Sequence, residues 1–344
     1  MSLSDERPLV SILVPAFNAE ATLGRTLESL RGQSLEDFEV LVVDDASEDA
    51  TMALLEDWRE PRLRWWRFDQ NRGPSAARNF AFEQSRGRYA ALLDADDWWS
   101  PEKLETQVAA LSRRPEAVLA YSWTRHVDLD RDESGVAGEA GPARSVGFRP
   151  DFEGDVLPTL VLGNFLESGS NPLIRRRAWR AAGGFDEDLR HCEDWDFYLR
   201  LAALGPFVVA PGVHVFYRRR PNSLSRDVAS MESAARSLIL RSTGGEMTDA
   251  RSYRRASLGN LYKYLVFQFC GSAPKRGQRL LGLRFLLAAL RNDPALLRGT
   301  AWIRSLRAVL RHLAFPRQIE GRLAGHGALL DSIRWTPVPS GDRA

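Results

Sequence analysis

Acidic residues recur in three short stretches of the 344-residue chain: Asp44-Asp45, Asp94-Ala95-Asp96-Asp97 and Glu193-Asp194. Carboxylates brought together repel, so at neutral pH they need protons or a hard cation, and oxygen donors select Mg²⁺ or Mn²⁺. Asp94 and Asp96 alternate along what reads as an extended segment. Both would then face the same way and hold such an ion together with substrate phosphates, whereas the bland alternative is that Asp96-Asp97 caps a turn. Asp45, at a strand end, can accept the imide N–H of uracil with Phe17 on the ring face, or cap the following helix, as Ser47 also can. Phe17 taken alone reads as a core residue. Glu193-Asp194 either complements a helix N-terminus or supplies a general base.

The elements that must position these residues alternate βαβαβαβαβ over residues 8–125. Val10 to Pro15 and Val40 to Val43 are short β-branched runs of the kind buried on both faces of a parallel sheet. Leu23, Leu27 and Leu30 recur at helical spacing before Gly32, and a second helix begins near Pro74. Leu63 to Phe68, Tyr89 to Leu93 and Ala117 to Trp123 read as further strands, and Ser100-Pro101 as the opening of a helix with Ser100 at the N-cap. Residues 126–155 read as a long loop. The pattern resumes at Gly183-Gly184-Phe185-Asp186, continues through a helix from Glu193, and ends in a strand from Phe207 to Tyr217. In an open parallel sheet, ligands sit outside the carboxyl ends of the strands, which is where the acidic stretches fall.

These residues together resemble family 2 glycosyltransferases over residues 8–226. The resemblance rests on Val10-Ser11-Ile12-Leu13-Val14-Pro15-Ala16-Phe17-Asn18, Val42-Val43-Asp44-Asp45-Ala46-Ser47, Asn71-Arg72-Gly73-Pro74 with Arg78-Asn79, the Asp94 to Asp97 stretch, Gly183 to Asp186, and Glu193-Asp194. It implies a GT-A fold, an α/β Rossmann-like mixed sheet, in residues 1–227, followed by a basic helical region in 228–344. It implies an inverting enzyme using a nucleotide-activated sugar, with a glycan or lipid-linked acceptor. By position, Asp45 falls on the uracil, Pro15, Phe17 and Glu20 line the nucleoside pocket, and Arg78 lies near the nucleotide. Asp94 falls on the ribose and sugar side and shares the metal with Asp96, the principal ligand of the metal-diphosphate. Asp194 matches the catalytic base, with Glu193 beside it. Family members often carry a histidine in the segment corresponding to residues 217–225. Here Arg218 and Arg220 stand in it, and a guanidinium can bind the diphosphate directly.

Composition and motifs argue against other classes, of which a sugar nucleotidyltransferase and an inactive glycan-binding scaffold of the same fold are the alternatives. None of the three lysines follows a glycine and no Gly-x-Gly-x-x-Gly occurs, which removes P-loop nucleotidases and the main argument for a dinucleotide-binding dehydrogenase. A sugar nucleotidyltransferase would carry a Gly-rich basic loop where Pro15 to Glu20 stand; an inactive glycan-binding scaffold would have no need of Asp94, Asp96 and Asp194. Cys192 lacks a partner histidine motif, His191 beside it reads as incidental, the five histidines lack metal-ligand spacing, and Trp98-Trp99 read equally as sugar-stacking or packing residues.

Two cysteines and a start without a basic, apolar leader point to the cytoplasm. Arginine and lysine total 30 against 39 acidic residues up to 244, and 17 against 6 thereafter. The basic helical stretches at 251–270, 277–291 and 299–314 fit packing on the acidic domain slightly better than peripheral contact with an anionic membrane; no stretch is apolar enough to span one, and nucleic acid is disfavoured.

Overall fold

A computed structural model describes residues 7–128, 149–219, 227–244, 249–270 and 280–298, with a few positions between 303 and 310. Each early strand ends where its apolar run ends. Strand β1 (Val10–Ala16) pairs in parallel with β2 (Phe38–Asp44) and with β4 (Tyr89–Leu92), and β2 pairs in parallel with β3 (Leu63–Arg67). Helices α1 (Leu23–Arg31), α2 (Thr51–Asp57) and α3 (Pro74–Gln84) make the crossovers. Both faces of β1 and β2 are covered, and nearly every residue in them is buried. Each Val, Leu or Ile so enclosed contributes about 1.5–3 kcal/mol, which explains why the apolar runs are continuous instead of alternating.

Beyond β4 the sheet becomes mixed. Short β5 (Trp98–Trp99) precedes helix α4 (Lys103–Arg113), β6 (Leu119–Asp128) and helix α5 (Leu157–Leu162). Then come β7 (Leu173–Arg175), helices α6 (Arg176–Ala182) and α7 (Glu193–Ala202), and β8 (Phe207–Arg219). The eight strands run β3-β2-β1-β4-β7-β6-β8-β5, with β7 antiparallel to β4 and β6, and β5 antiparallel to β8. Chain order reverses on either side of β1, so the crevice between the carboxyl ends of β1 and β4 is a topological switch point.

Local chemistry revises two expectations. Ser100 does not cap α4: its hydroxyl is 2.7 Å from His214 Nδ1, and the helix begins at Lys103. The loop expected from residue 126 is strand to Asp128, where β6 continues its pairing with β8, and residues 129–148 lie outside those described.

The described residues fall into two compact units, one holding those up to 157 and from 165 to 219, the other holding 158–164 and those from 220 onward. In the second, helices α9 (Ala250–Cys270) and α10 (Leu281–Asn292) answer to the stretches read at 251–270 and 277–291, α8 (Val228–Ser242) is a helix beyond those stretches, and much of 299–314 lies outside the described residues. Leu261, Leu265 and Phe269 of α9 and Phe285 and Leu286 of α10 are buried, and Lys263 pairs with Asp293 at 2.8 Å. Ser257 and Asn260 of α9 bond the carbonyls of Val161 and Leu162. No described helix is long and apolar enough to cross a membrane.

Candidate active site

Four loops at the carboxyl ends of β1, β2 and β4 and at the start of α7 are tied to one another by side chains. The loops after β1 and β2 are laced together: Asn18 N donates to Ser47 Oγ at 2.9 Å, Glu48 N to Asn18 Oδ1 at 2.9 Å, Ala19 N to Thr51 Oγ1 at 2.8 Å, and Ala50 N to Glu20 Oε2 at 2.8 Å. Asn18, Ala46 and Cys192 hold positive φ of 47°, 63° and 60°. Such left-handed non-glycine residues cost on the order of 1–3 kcal/mol each and concentrate at functional sites. Here one follows β1, one follows β2, and one immediately precedes Glu193.

Asp45 is buried and accepts N–H groups from Arg72 at 2.7 Å and Gly73 at 2.8 Å. It therefore anchors the entrance to α3, where Gly73 adopts φ 88° just before Pro74. Asp44 is occupied locally, accepting from Ser47 and lying 3.5 Å from Arg67 Nε. Phe17 is not a core residue: it is 48% exposed at the end of β1, beside half-buried Pro15 and exposed Glu20.

The Asp94 to Asp97 segment is a turn, not the extended stretch its alternation suggests. Asp97 N donates to the Asp94 carbonyl at 3.1 Å, so the carboxylates of Asp94 and Asp96 are not carried on one face of a strand. From α1, Thr22 and Thr26 donate to the Ala95 carbonyl at 2.9 and 3.0 Å, and Thr26 to that of Asp97 at 2.8 Å, fixing the turn from one side. Asp97, fully buried, fixes it from the other by accepting from Ser170 Oγ at 2.6 Å and Arg218 N at 3.0 Å. Burial, with Asp96 and Asp94 adding like charge, pushes the Asp97 carboxyl well above the usual carboxylate range.

Arg78 of α3 joins the turn to α7. Its side chain is buried, with Nη2 at 2.5 Å from Asp94 Oδ1 and Nη1 at 3.5 Å from Glu193 Oε1. A Cβ on Gly169 would lie 3.1 Å from Asp94 Oδ2 and 3.3 Å from Arg78 Nη2, so the backbone passes close over the pair and a side chain there would make both give by a few tenths of an ångström. Asp194, whose Oδ1 accepts its neighbour's N–H from Trp195 at 2.7 Å, has its carboxyl pushed up to about 7 by burial and then by Glu193, against the opposing pull of Arg78. Burial likewise raises Glu193 and carries the Cys192 thiol far above its normal range, which leaves the latter no thiolate for nucleophilic chemistry.

The structure thus gathers Arg78, Asp94, Glu193 and Asp194, and links Asp45 to them through α3. Arg218 joins through the turn: its Nε donates to the Asp96 carbonyl at 3.0 Å. Arg220 lies outside the described residues. Trp98 stacks on Phe216 at 5.5 Å and Trp99 is buried with its Nε1 on the Ser170 carbonyl, so both are packing residues. Sequence reading passed over Tyr198, whose fully buried hydroxyl has no hydrogen-bond partner among the described residues and feels Asp194 first among its charged neighbours. Its i+4 spacing from Asp194 was the available signal. Gly169 and Ser170 were also missed, because irregular loops carry no periodicity, whereas Asp97 holds the turn much as the reading of Asp96-Asp97 as a turn cap expects.

Among the described residues, no three His, Cys, Asp or Glu side chains cluster as a self-sufficient metal site. Asp94 pairs with Arg78, and half-exposed Asp96 offers a hard oxygen donor at the turn. One carboxylate fits Mg²⁺ or Mn²⁺ when substrate phosphates supply further ligands.

The model of glycosyl transferase family 2 matches residues 11–180. The succinoglycan biosynthesis protein ExoO of Rhizobium meliloti (strain 1021) is 34% identical over 235 residues, covering 64% of this chain and 64% of that protein. A chondroitin synthase of Escherichia coli is 31% identical over 203 residues, covering 58% of this chain, which spans 27% of that protein's length. Among solved structures, S. aureus TarS 1–349 in complex with UDP-GlcNAc aligns with a TM-score of 0.57 at 20% identity, over 88% of this chain and 89% of that one. The mannosyltransferase PcManGT of Pyrobaculum calidifontis, in complex with GDP-Man and Mn²⁺, aligns with a TM-score of 0.55 at 17% identity, over 91% and 89%. Matched in this way, the chain belongs to glycosyl transferase family 2 and carries the GT-A fold.

Proposed function

We propose that the protein transfers a sugar from a nucleotide-diphosphate donor, a UDP-sugar, to an acceptor hydroxyl in glycan or cell-surface polysaccharide synthesis, with inversion at the anomeric carbon. The observation that carries this reading is the gathering of Asp194 with the ion-paired Arg78, Asp94 and Glu193, in which Arg78 is buried and the Asp194 carboxyl is pushed up to about 7 by burial and by Glu193. An acceptor hydroxyl is a poor nucleophile, and a base poised near the working pH removes its proton most effectively as the new bond forms. Arg78 keeps Asp194 from rising further, and Glu193 keeps it from falling. Inversion follows from a single in-line displacement with no covalent sugar-enzyme intermediate.

In this reading Asp45, Pro15, Phe17 and Glu20 receive the nucleoside. The aromatic face of Phe17 is exposed for a base, and the Asp45 carboxylate keeps acceptor capacity beyond its two N–H bonds. Arg78 supports the nucleotide side indirectly, by orienting Asp94 toward the ribose and sugar. Asp96 would hold Mg²⁺ or Mn²⁺, and Arg218, anchored on the Asp96 carbonyl, would meet the diphosphate. A bound divalent cation would act as a Lewis acid that stabilises the charge on the departing diphosphate. The UDP-GlcNAc named for TarS and the polysaccharides named for the relatives support the donor and acceptor classes. In the second unit, exposed Leu280 and Leu287 near Arg284 support peripheral contact with the cytoplasmic face of a membrane; salt-sensitive flotation with anionic liposomes tests it.

Nucleotide release from UDP-, GDP- and dTDP-sugars with Mn²⁺ or Mg²⁺ tests the main reading. UDP-sugars should turn over, EDTA should abolish release, and added Mn²⁺ should restore it. Asp194→Asn should lower turnover by about 10²–10⁴-fold while UDP still binds, and near-normal turnover would remove Asp194 from the base role.

A further inference from the structure

The amino ends of the strands carry the opposite charge from the rim. Where β1 and β4 begin and β7 ends, a cavity of about 720 Å³ is lined by Arg7, Arg86, Arg88, Arg176, Arg177 and Arg180. Asp37 is the acidic residue among its lining side chains. The first unit is acidic at its catalytic rim, so this concentration of arginine is not an average property of its surface.

The backbone builds this surface. At Gly87 a Cβ would lie 2.6 Å from Ser11 N, so the chain presses against β1 there and directs the flanking Arg86 and Arg88 to the cavity. Arg175 is spent internally, donating to the carbonyls of Ala117 at 2.6 Å and Leu111 at 2.7 Å, and so fixes the point from which Arg176 and Arg177 depart. Arg180 follows them at i+4 and i+3 on α6. Some of the charge is answered: Arg86 lies 3.5 Å from Glu39, Arg176 donates to the Gly87 carbonyl at 2.6 Å, and Arg177 to that of Pro115 at 2.9 Å. Arg88 and Arg180 are exposed, and burial followed by the charge of Arg180 depresses the basicity of Arg176.

Guanidinium groups do not shed their protons at physiological pH, so crowding of this kind is relieved by an anion and not by deprotonation. A concave surface concentrates the field, and the planar forks match phosphate oxygens in pairs. The volume is that of a discrete ligand, and Pro8 and Leu9 are the apolar side chains among its lining residues. We propose that this cavity is a second anion site, separate from the donor rim, for a ligand bearing two or more linked phosphate groups. The seven residues of β1 put roughly 20 Å between the two sites, so one ligand does not occupy both.

Titration of the full chain with inorganic pyrophosphate, calorimetrically, at low salt and with EDTA present, tests this. Pyrophosphate should bind at least about tenfold more tightly than orthophosphate, and added salt should weaken it. The double variant Arg88→Glu/Arg180→Glu should lose about a hundredfold in pyrophosphate affinity while its melting temperature and its Mn²⁺-supported UDP binding stay at wild-type values. If that variant misfolds, Arg88→Gln/Arg180→Gln gives the same test with less perturbation. Asp96→Ala should bind pyrophosphate as the wild type does. Two arms identify the source of the phosphate. Capture of phosphatidic acid vesicles that pyrophosphate competes away assigns a lipid headgroup, and pyrophosphate binding without vesicle capture assigns a soluble diphosphate ester. The proposal is overturned if the double variant binds pyrophosphate like the wild type, if Asp96→Ala abolishes binding, or if vesicles bind while pyrophosphate neither binds nor competes.

Discussion

Arg78 touches two carboxylates and biases a third, and that makes its removal informative. Its charge favours the ionised form of Asp194, so Arg78→Met should raise the Asp194 pKa above about 7 and move the ascending limb of the kcat/KM profile to higher pH. The same change leaves Asp94 and Glu193 without their cation, at a stability cost of about 3–5 kcal/mol, readable in urea unfolding. In the wild type, activity should rise through pH 7 and level off above it, since Asp194 as the proposed base works ionised. Stability should move the other way. The folded-state pKa of Asp194 lies above its unfolded value, so between about pH 4 and 7 the native state binds the extra proton, and stability falls as pH rises through that window. Asp194→Asn, which cannot ionise, should therefore be more stable than wild type at pH 8 by on the order of 2 kcal/mol, with the difference closing toward pH 4. Equal melting of the two proteins at both pH values would remove the strained-base account.

At the scale of elements, the catalytic rim is assembled by turns and helix starts. Asp45 reaches across from the end of β2 to hold the two N–H groups at the start of α3, and α3 in turn carries Arg78. Asp45→Ala should cost about 2 kcal/mol in unfolding free energy through those orphaned donors, and it should weaken donor binding as well. Unchanged unfolding would show that α3 does not depend on this anchor. The Asp94 to Asp97 turn is held on both sides, by threonines of α1 and by Ser170 and Arg218 around Asp97, so its geometry is set before a substrate arrives.

At the scale of the molecule, residues 158–164 belong to the same compact unit as the helices after residue 220, so the chain crosses between units and returns. A cut after residue 227, a natural boundary on sequence pattern, removes the Ser257 and Asn260 partners of the Val161 and Leu162 carbonyls along with the helices that carry them. Such a truncation should be less soluble and melt lower than the full chain, as size-exclusion chromatography and thermal unfolding would register. Within the first unit, charge divides by strand polarity. The carboxyl ends carry the acidic groups proposed to hold a metal-bound donor, and the amino ends carry the arginine cavity proposed as a second anion site.

The parallel strands, the crossover helices and the acidic stretches were legible in the amino-acid sequence, because burial on both faces imposes continuous apolar runs and strand ends impose polar ones. Asp45, Asp94 and Asp194 stand out at strand ends and a helix start for the same local reason, whereas Arg78 is named only by the family resemblance. Spacing alone misread the Asp94 to Asp97 segment as extended, since alternation is also compatible with a turn, and the hydrogen bond that closes the turn is fixed by α1, Ser170 and Arg218 from distant parts of the chain. Tertiary structure alone also exposed Phe17, buried Asp97 and closed Arg78 onto both Asp94 and Glu193. It brought Arg7, Arg88 and Arg180 to one cavity as well. Local pattern records which surfaces a residue prefers, whereas charge pairing and the proton affinity of a buried acid depend on neighbours that only the folded chain supplies.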